Sequence, residues 1–261
     1  MVKAKSAPML AGAAALGALA FGTVTAQANP FLFEVTGGCS EACAATASIT
    51  VAAGQLTVVL TDTEANPRSA GDLLSSIEIT PSGAVGSPTL SSQAGSLITV
   101  ASNTGPYSTS PGPPSHWGVG VSTTHCETGT SCIALETAGP FAVGGAPINM
   151  IIGPPDASGN YSNGNASVVG GHFSPYVDGT GTFIIFDSSI TATTTIAGVT
   201  FDFGTGPDTF LPGVLVVPAP VIGHWLFVLL AIGGVLFGGK LLGRSRNAVR
   251  LGLPFLTQRH S

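Results

Sequence analysis

Apolar and polar positions alternate through the middle of this chain, and continuous apolar segments replace the alternation near both ends. Residues 55–63, QLTVVLTDT, put Leu56, Val58 and Leu60 on one face and Thr57, Val59 and Thr61 on the other, the period of a half-buried strand. Residues 47–52, ASITVA, precede them across Ala53-Gly54, so the two segments predict a hairpin. Short segments rich in Ile, Val, Thr and Phe predict further strands over 76–80, 97–101, 117–122, 133–137, 148–152, 182–187, 190–196 and 199–204. Many short strands separated by Gly and Pro turns define an all-β domain, an antiparallel sandwich or jelly roll. Between the apolar ends, only residues 70–76 have the character of a short helix. Residues 103–115, with four prolines, are expected to stay out of any sheet, and the polar cluster 154–165 reads as a second long loop.

The end segments carry a different message. Residues 221–239, VIGHWLFVLLAIGGVLFGG, are apolar, and Lys240, Arg244, Arg246 and Arg250 follow closely. A helix over 221–242 spans roughly 33 Å, enough for a hydrocarbon core of ~30 Å. Within lipid the backbone must satisfy its own hydrogen bonds, which selects a helix. The basic stop at Arg244, Arg246 and Arg250 places the C-terminal side, including residues 247–261, in the cytoplasm. His224 and Trp225 fall near the outer interface, where a ring with a polar edge is at home. At the other end, Lys3 and Lys5, an apolar stretch over 9–21 and Ala26-Gln27-Ala28 have the three parts of a signal peptide, residues 1–28, with a mature start at Asn29. The expected organisation is therefore a leader, an extracytoplasmic domain over 29–217, an anchor over 218–246 and a short tail.

The C-terminal residues Pro218-Ala219-Pro220, the apolar span and the arginine cluster resemble the sorting segment of PEP-CTERM proteins, exported bacterial proteins handled by exosortase. Here Ala219 stands where that family's motif has glutamate, and the resemblance covers about 30 residues. It implies the inner membrane as the first address, an exosortase-like transpeptidase as a partner, and association with extracellular polysaccharide at the cell surface or in the matrix.

Charge sharpens the picture of the middle domain. Arg68 is its single Lys or Arg, while all 13 Asp and Glu fall between residues 29 and 220, a formal charge of −12. Such a domain repels nucleic acid and anionic surfaces and is compatible with divalent cations or neutral glycans. Charged residues make up only 8% of the chain, so Ser and Thr carry its solubility. About 190 residues suffice for one sandwich core.

Four cysteines occur as two close pairs, Cys39 with Cys43 and Cys126 with Cys132. In an oxidising compartment they form two disulfides, and local pairing is favoured among the three connectivities because a bridge across a hairpin tip satisfies the Cα spacing. A zinc site using His125 and these thiolates is the sharper alternative, but the spacings fit no standard zinc motif. Asp156, Ser158, Asn160 and Ser162 alternate like the start of a calcium loop. Tyr161 stands where glycine is required and Ser167 where glutamate is required, so an ordinary turn is expected. Asn160 and Asn165 head glycosylation sequons, which the bacterial resemblance sets aside. His116 reads as a loop histidine, and His172 near Ser174 lacks the geometry of a nucleophile with its base. No catalytic, cofactor-binding or metal motif stands out. The expected function is that of a non-enzymatic, exported structural protein. The alternative is a glycan- or calcium-binding module on the same anchor, for which a glycan site predicts exposed aromatics among Tyr107, Trp117, Tyr161 and Tyr176.

Overall fold

The computed structural model describes residues 30–126, 131–206 and 209–217. Among the described residues fifteen strands succeed one another: β1 Phe31–Gly37, β2 Cys43–Ala52, β3 Gln55–Asp62, β4 Leu74–Pro81, β5 Thr89–Ala94, β6 Leu97–Thr99, β7 Ser108–Ser110, β8 Gly118–Ser122, β9 Cys132–Glu136, β10 Ile151–Ile152, β11 Tyr176–Asp178, β12 Thr180–Phe186, β13 Ile196–Phe203, β14 Thr209–Pro212 and β15 Val214–Leu215. A single 3-10 turn, Ala70–Asp72, is the helical element among the described residues, so the expected helix shrinks to one turn before β4. The all-β expectation holds.

The strands form two sheets. The first runs β15-β1-β2-β3-β12-β5, and the second runs β14-β13-β4-β10-β11-β6-β7, with β9 sharing the β4 edge and β8 outside β9. Pairings are antiparallel except β10 with β11, which are parallel. The predicted hairpin is present, with Ala52 opposite Gln55 and Gly54 at φ +75° in the two-residue turn. That left-handed conformation costs L-residues with a Cβ about 1–2 kcal/mol, which is why glycine belongs there.

One core lies between the sheets. Leu56, Val58 and Leu60 of β3 and Phe183 of β12 meet Ile77 and Ile79 of β4, Leu135 of β9 and Phe201 of β13. Trp117, just before β8, packs its ring 4.7 Å from that of Phe183 and donates its indole N–H to the Asn149 carbonyl at 2.8 Å. A second cluster, around Leu73, Ile98, Met150, Tyr161 and Tyr176, fills the space beneath the long loops.

Three expectations are corrected. Residues 190–195 form a turn rather than a strand. The Thr191 N–H finds the Thr194 hydroxyl at 2.9 Å, and the Thr194 N–H returns to the Thr191 carbonyl at 3.0 Å, so local bonds replace a ladder. The proline-rich segment does enter a sheet, through β7. Its prolines flank the strand, and β7 pairs β6 alone at a sheet edge, where missing donors are tolerated. The strand expected over 148–152 is reduced to β10. The chain also changes sheets at Gly213, between β14 and β15. A Cβ there would meet Val199 Cγ2 at 2.5 Å and Phe201 Cε2 at 2.8 Å, so the corner has room only for hydrogen.

Candidate functional site

The Cys39–Cys43 disulfide closes the turn between β1 and β2, and Cys126–Cys132 closes the connection between β8 and β9, each with a Cα separation of 5.7 Å. Both are the local pairs that the spacing favours. Glu78 lies beside the second disulfide, with its carboxylate 3.7 Å from Cys132 Sγ. With the two sulfurs bonded to each other, this group is not a thiolate zinc set. The sorting motif Pro218, Ala219 and Pro220 and the basic residues Arg244, Arg246 and Arg250 lie outside the described residues. Among the described residues no helix is long and apolar enough to cross a membrane.

Two places concentrate polar chemistry. The first is a cleft of about 240 Å³ on the outer face of the second sheet, lined by Ser76, Glu78, Ser122, His125, Glu136, Asp202 and Phe210 among others. Strand register builds it: Ser76 is opposite Glu136 on one side and Asp202 on the other, and Glu78 follows two residues along the same face. Every residue of β4 is buried, the outward-facing Ser76, Glu78 and Thr80 included, because loops fold over this face. Phe141 is the centre of that cover. Its backbone and ring occupy the space above Gly118 and Gly120, where any Cβ would collide.

One carboxylate of the cleft holds the cover down, and the other two bond neighbouring strands. Glu136 accepts the backbone N–H of Phe141. Glu78 accepts the Ser122 hydroxyl at 2.8 Å, and Asp202 accepts the Thr209 N–H at 3.3 Å. His125 stacks on Phe210 with ring centroids 3.4 Å apart. Burial raises the carboxyl pKa of Glu78 above the ordinary glutamate value, opposed by the Ser122 hydroxyl and the nearby His125. Burial likewise raises Glu136, opposed by the Phe141 and Ala142 amides and reinforced by the negative charge of Glu78. Sequence reasoning did not single out these acids. They come from three strands, and only a two-residue alternation within β4 hinted that Ser76 and Glu78 share a face.

The second place is a loop cap at the end of the molecule where β1 turns into β2. The two long loops meet there through a bridge between Pro106 and Asn160 and an edge-on contact of Tyr107 with Tyr161. Asn66 joins them, donating to Ser162 at 3.1 Å and accepting from the Asn163 N–H. Asp72 ties the disulfide turn to the same cap by accepting from Ser40 at 2.7 Å and from Ser69 at 2.8 Å, and Arg68 pairs with Glu41. Asp62, at the end of β3, accepts the Glu64 and Leu74 amides, and burial raises its pKa well above the usual range against those bonds.

The calcium-like spacing resolves into a turn. Asp156 Oδ1 accepts the Ser158 and Asn160 amides at 2.8 and 3.0 Å, and Oδ2 accepts the Ser162 hydroxyl at 2.5 Å. The Ser162 hydroxyl and then the Asn160 amide lower its pKa. Three of the four aromatics that a glycan platform requires are interior: Trp117, Tyr161 and Tyr176 are buried, and Tyr107 is half-buried against Tyr161. His116 lies beside Asn149, its Nδ1 3.2 Å from the Asn149 Oδ1. Asn149 in turn accepts the Ser115 N–H, so this pair secures the end of the proline-rich loop.

No protein family, curated protein or solved structure matches this chain.

Proposed function

We propose that the chain is an exported, non-enzymatic structural protein, whose β-sandwich or jelly-roll domain is held outside the cytoplasm by the apolar span 221–242. The observation that carries this reading is the pair of disulfides, Cys39–Cys43 and Cys126–Cys132, since such bonds persist in oxidising compartments. Two features agree with it. The acids of the cleft on the second sheet are engaged in hydrogen bonds within the domain, Glu136 with the Phe141 loop and Glu78 with Ser122, and the apolar ends of the sequence bracket a domain with a single cation. On this reading the inner membrane is the first address, and Pro218-Ala219-Pro220 is the point at which an exosortase-like transpeptidase transfers the domain toward the surface polysaccharide.

Fractionation of cells expressing the full chain, followed by mass spectrometry of its C-terminus, tests both parts. Recovery with membranes, Asn29 as the first residue and oxidised cysteines is the expected result. A C-terminus within 218–220 indicates sorting, and one at Ser261 indicates a standing anchor. Recovery as a soluble, reduced, full-length chain would sink the proposal.

The second reading, a binding module, draws on the convergence of the two long loops into one surface. Millimolar calcium that raises the melting temperature where magnesium does not would favour it, because a ligand stabilises only a state that binds it.

A further inference from the structure

The domain has two unlike ends. Its first strand and its last are neighbours: Phe33 is opposite Leu215 and Glu34 opposite Val214, in antiparallel register. The chain therefore enters the domain at Phe31 and leaves it after Leu215 at the same end of the first sheet. The β2–β3 turn and the last residue of β12, Phe186, are at that end too, since Phe186 pairs with Gln55 beside Gly54. Exposed apolar side chains gather there: Leu32, Phe186, Val214 and Leu215 are 38%, 46%, 68% and 44% exposed. The opposite end carries the loop cap and the acids Glu41, Glu64 and Asp156.

Resting on the anchoring proposed above, we infer that the β1/β15 end, with Leu32, Val214 and Leu215 at its edge, docks on the lipid surface of the bilayer that holds residues 221–242. Tether length makes this the near end. Five residues lie between Leu215 and residue 221, and the six steps across them reach at most about 20 Å even when fully extended. The headgroup layer fills roughly 5–8 Å of that distance on each side of the hydrocarbon. Aliphatic side chains held so close to the boundary gain by leaving water. Glu34, exposed and opposite Val214 in the register, lies within this edge, where its carboxylate stays in the hydrated headgroup layer. The inference thus names the face shown to the outside, which is the cap of the two long loops and the Cys39–Cys43 turn.

Tryptophan quenching in the full chain tests it. The protein is reconstituted into phosphatidylcholine vesicles whose acyl chains are brominated near the headgroup or not brominated. Quenching of native Trp225 reports the anchor itself. In a Trp225→Phe background, V214W places a reporter on the proposed contact and T109W places one on β7, away from it. Buried Trp117 supplies a constant background. Loss of emission from V214W with T109W unchanged is the expected result, and Leu32→Trp should repeat it. An unquenched V214W beside a quenched Trp225 overturns the docking while leaving the anchor standing. Equal quenching of V214W and T109W also overturns it. An unquenched Trp225 removes the anchoring reading and the inference with it.

Discussion

At the scale of single residues, buried carboxyls set how stability depends on pH. Glu78, Glu136, Asp62 and Asp178 all have raised pKa values, and burial is the largest cause in each case. A carboxyl with a folded pKa above its unfolded value holds more protons when folded. It therefore favours folding below the unfolded value, ~4, and that contribution is lost as pH rises through the folded pKa. The melting temperature should accordingly rise as pH falls from the alkaline side through the raised folded pKa values toward the unfolded one, ~4. Glu78→Gln keeps an acceptor for the Ser122 hydroxyl without the charge, so thermal melts should show a shallower pH slope and a higher melting temperature at the alkaline end. Unchanged slope in that variant would remove Glu78 from the account. Asp156 has the opposite shift, but it lies in water and adds little. Glycines give a second test at this scale. A Cβ on Gly118 would lie 1.8 Å from the Phe141 carbonyl oxygen, so Gly118→Ala must displace the cover over the second sheet. Overpacking of this kind costs about 1–3 kcal/mol, readable by urea denaturation. Gly120→Ala meets the Phe141 ring, which can rotate, and should cost less.

Between elements, the disulfides clamp turns rather than join sheets. Cysteines separated by 4 and 6 positions close short loops, so each bridge limits few unfolded conformations and contributes about 2 kcal/mol in the chain-entropy view. Peptide mapping without reductant should recover 39–43 and 126–132, and a bridge from Cys43 to Cys126 would refute the arrangement. Reduction should loosen the two ends of the molecule unequally. Cys39–Cys43 is backed by the bonds from Ser40 and Glu41 to Asp72, whereas Cys126–Cys132 borders the cleft of buried acids. The strand pattern was legible where burial is one-sided, as in β2 and β3, whose buried and half-exposed positions alternate without a break. It was illegible in β5, which has exposed positions on both faces, and in β15, which has two residues. Periodicity needs one dry face and several residues to register.

For the whole molecule, the described strands all belong to one compact unit that ends at Leu215. A protein trimmed to residues 29–217 should fold by itself into a soluble β protein, since the core described between its sheets is assembled from residues 33–203. Far-UV circular dichroism checks it, and a strong helical signal would defeat the assignment. Little of the polar cleft could be read from sequence at this scale. Ser76 and Glu136 come together only because β4 pairs β9, and the meeting of the two long loops depends on the hydrophobic cluster beneath them.

What the sequence determined by itself rests on interactions among close neighbours. The two-residue alternation of Leu56, Val58 and Leu60 implies a strand with one dry face, Ala53-Gly54 implies the turn after β2, and two nearby cysteine pairs imply local bridges. The acidic, almost cation-free middle domain is likewise plain from composition. Tertiary structure alone decided which second faces were covered and which aromatics went inside. Trp117 stood among the candidate exposed aromatics until Phe183 and the Asn149 carbonyl supplied its partners, and Glu78 drew no notice until Ser122 and Thr124 closed on it and Phe141 covered the neighbouring strand. The reason is physical. A side chain's burial depends on whatever segment packs against it, and in this fold that segment arrives from a distant part of the chain, where no local period can announce it.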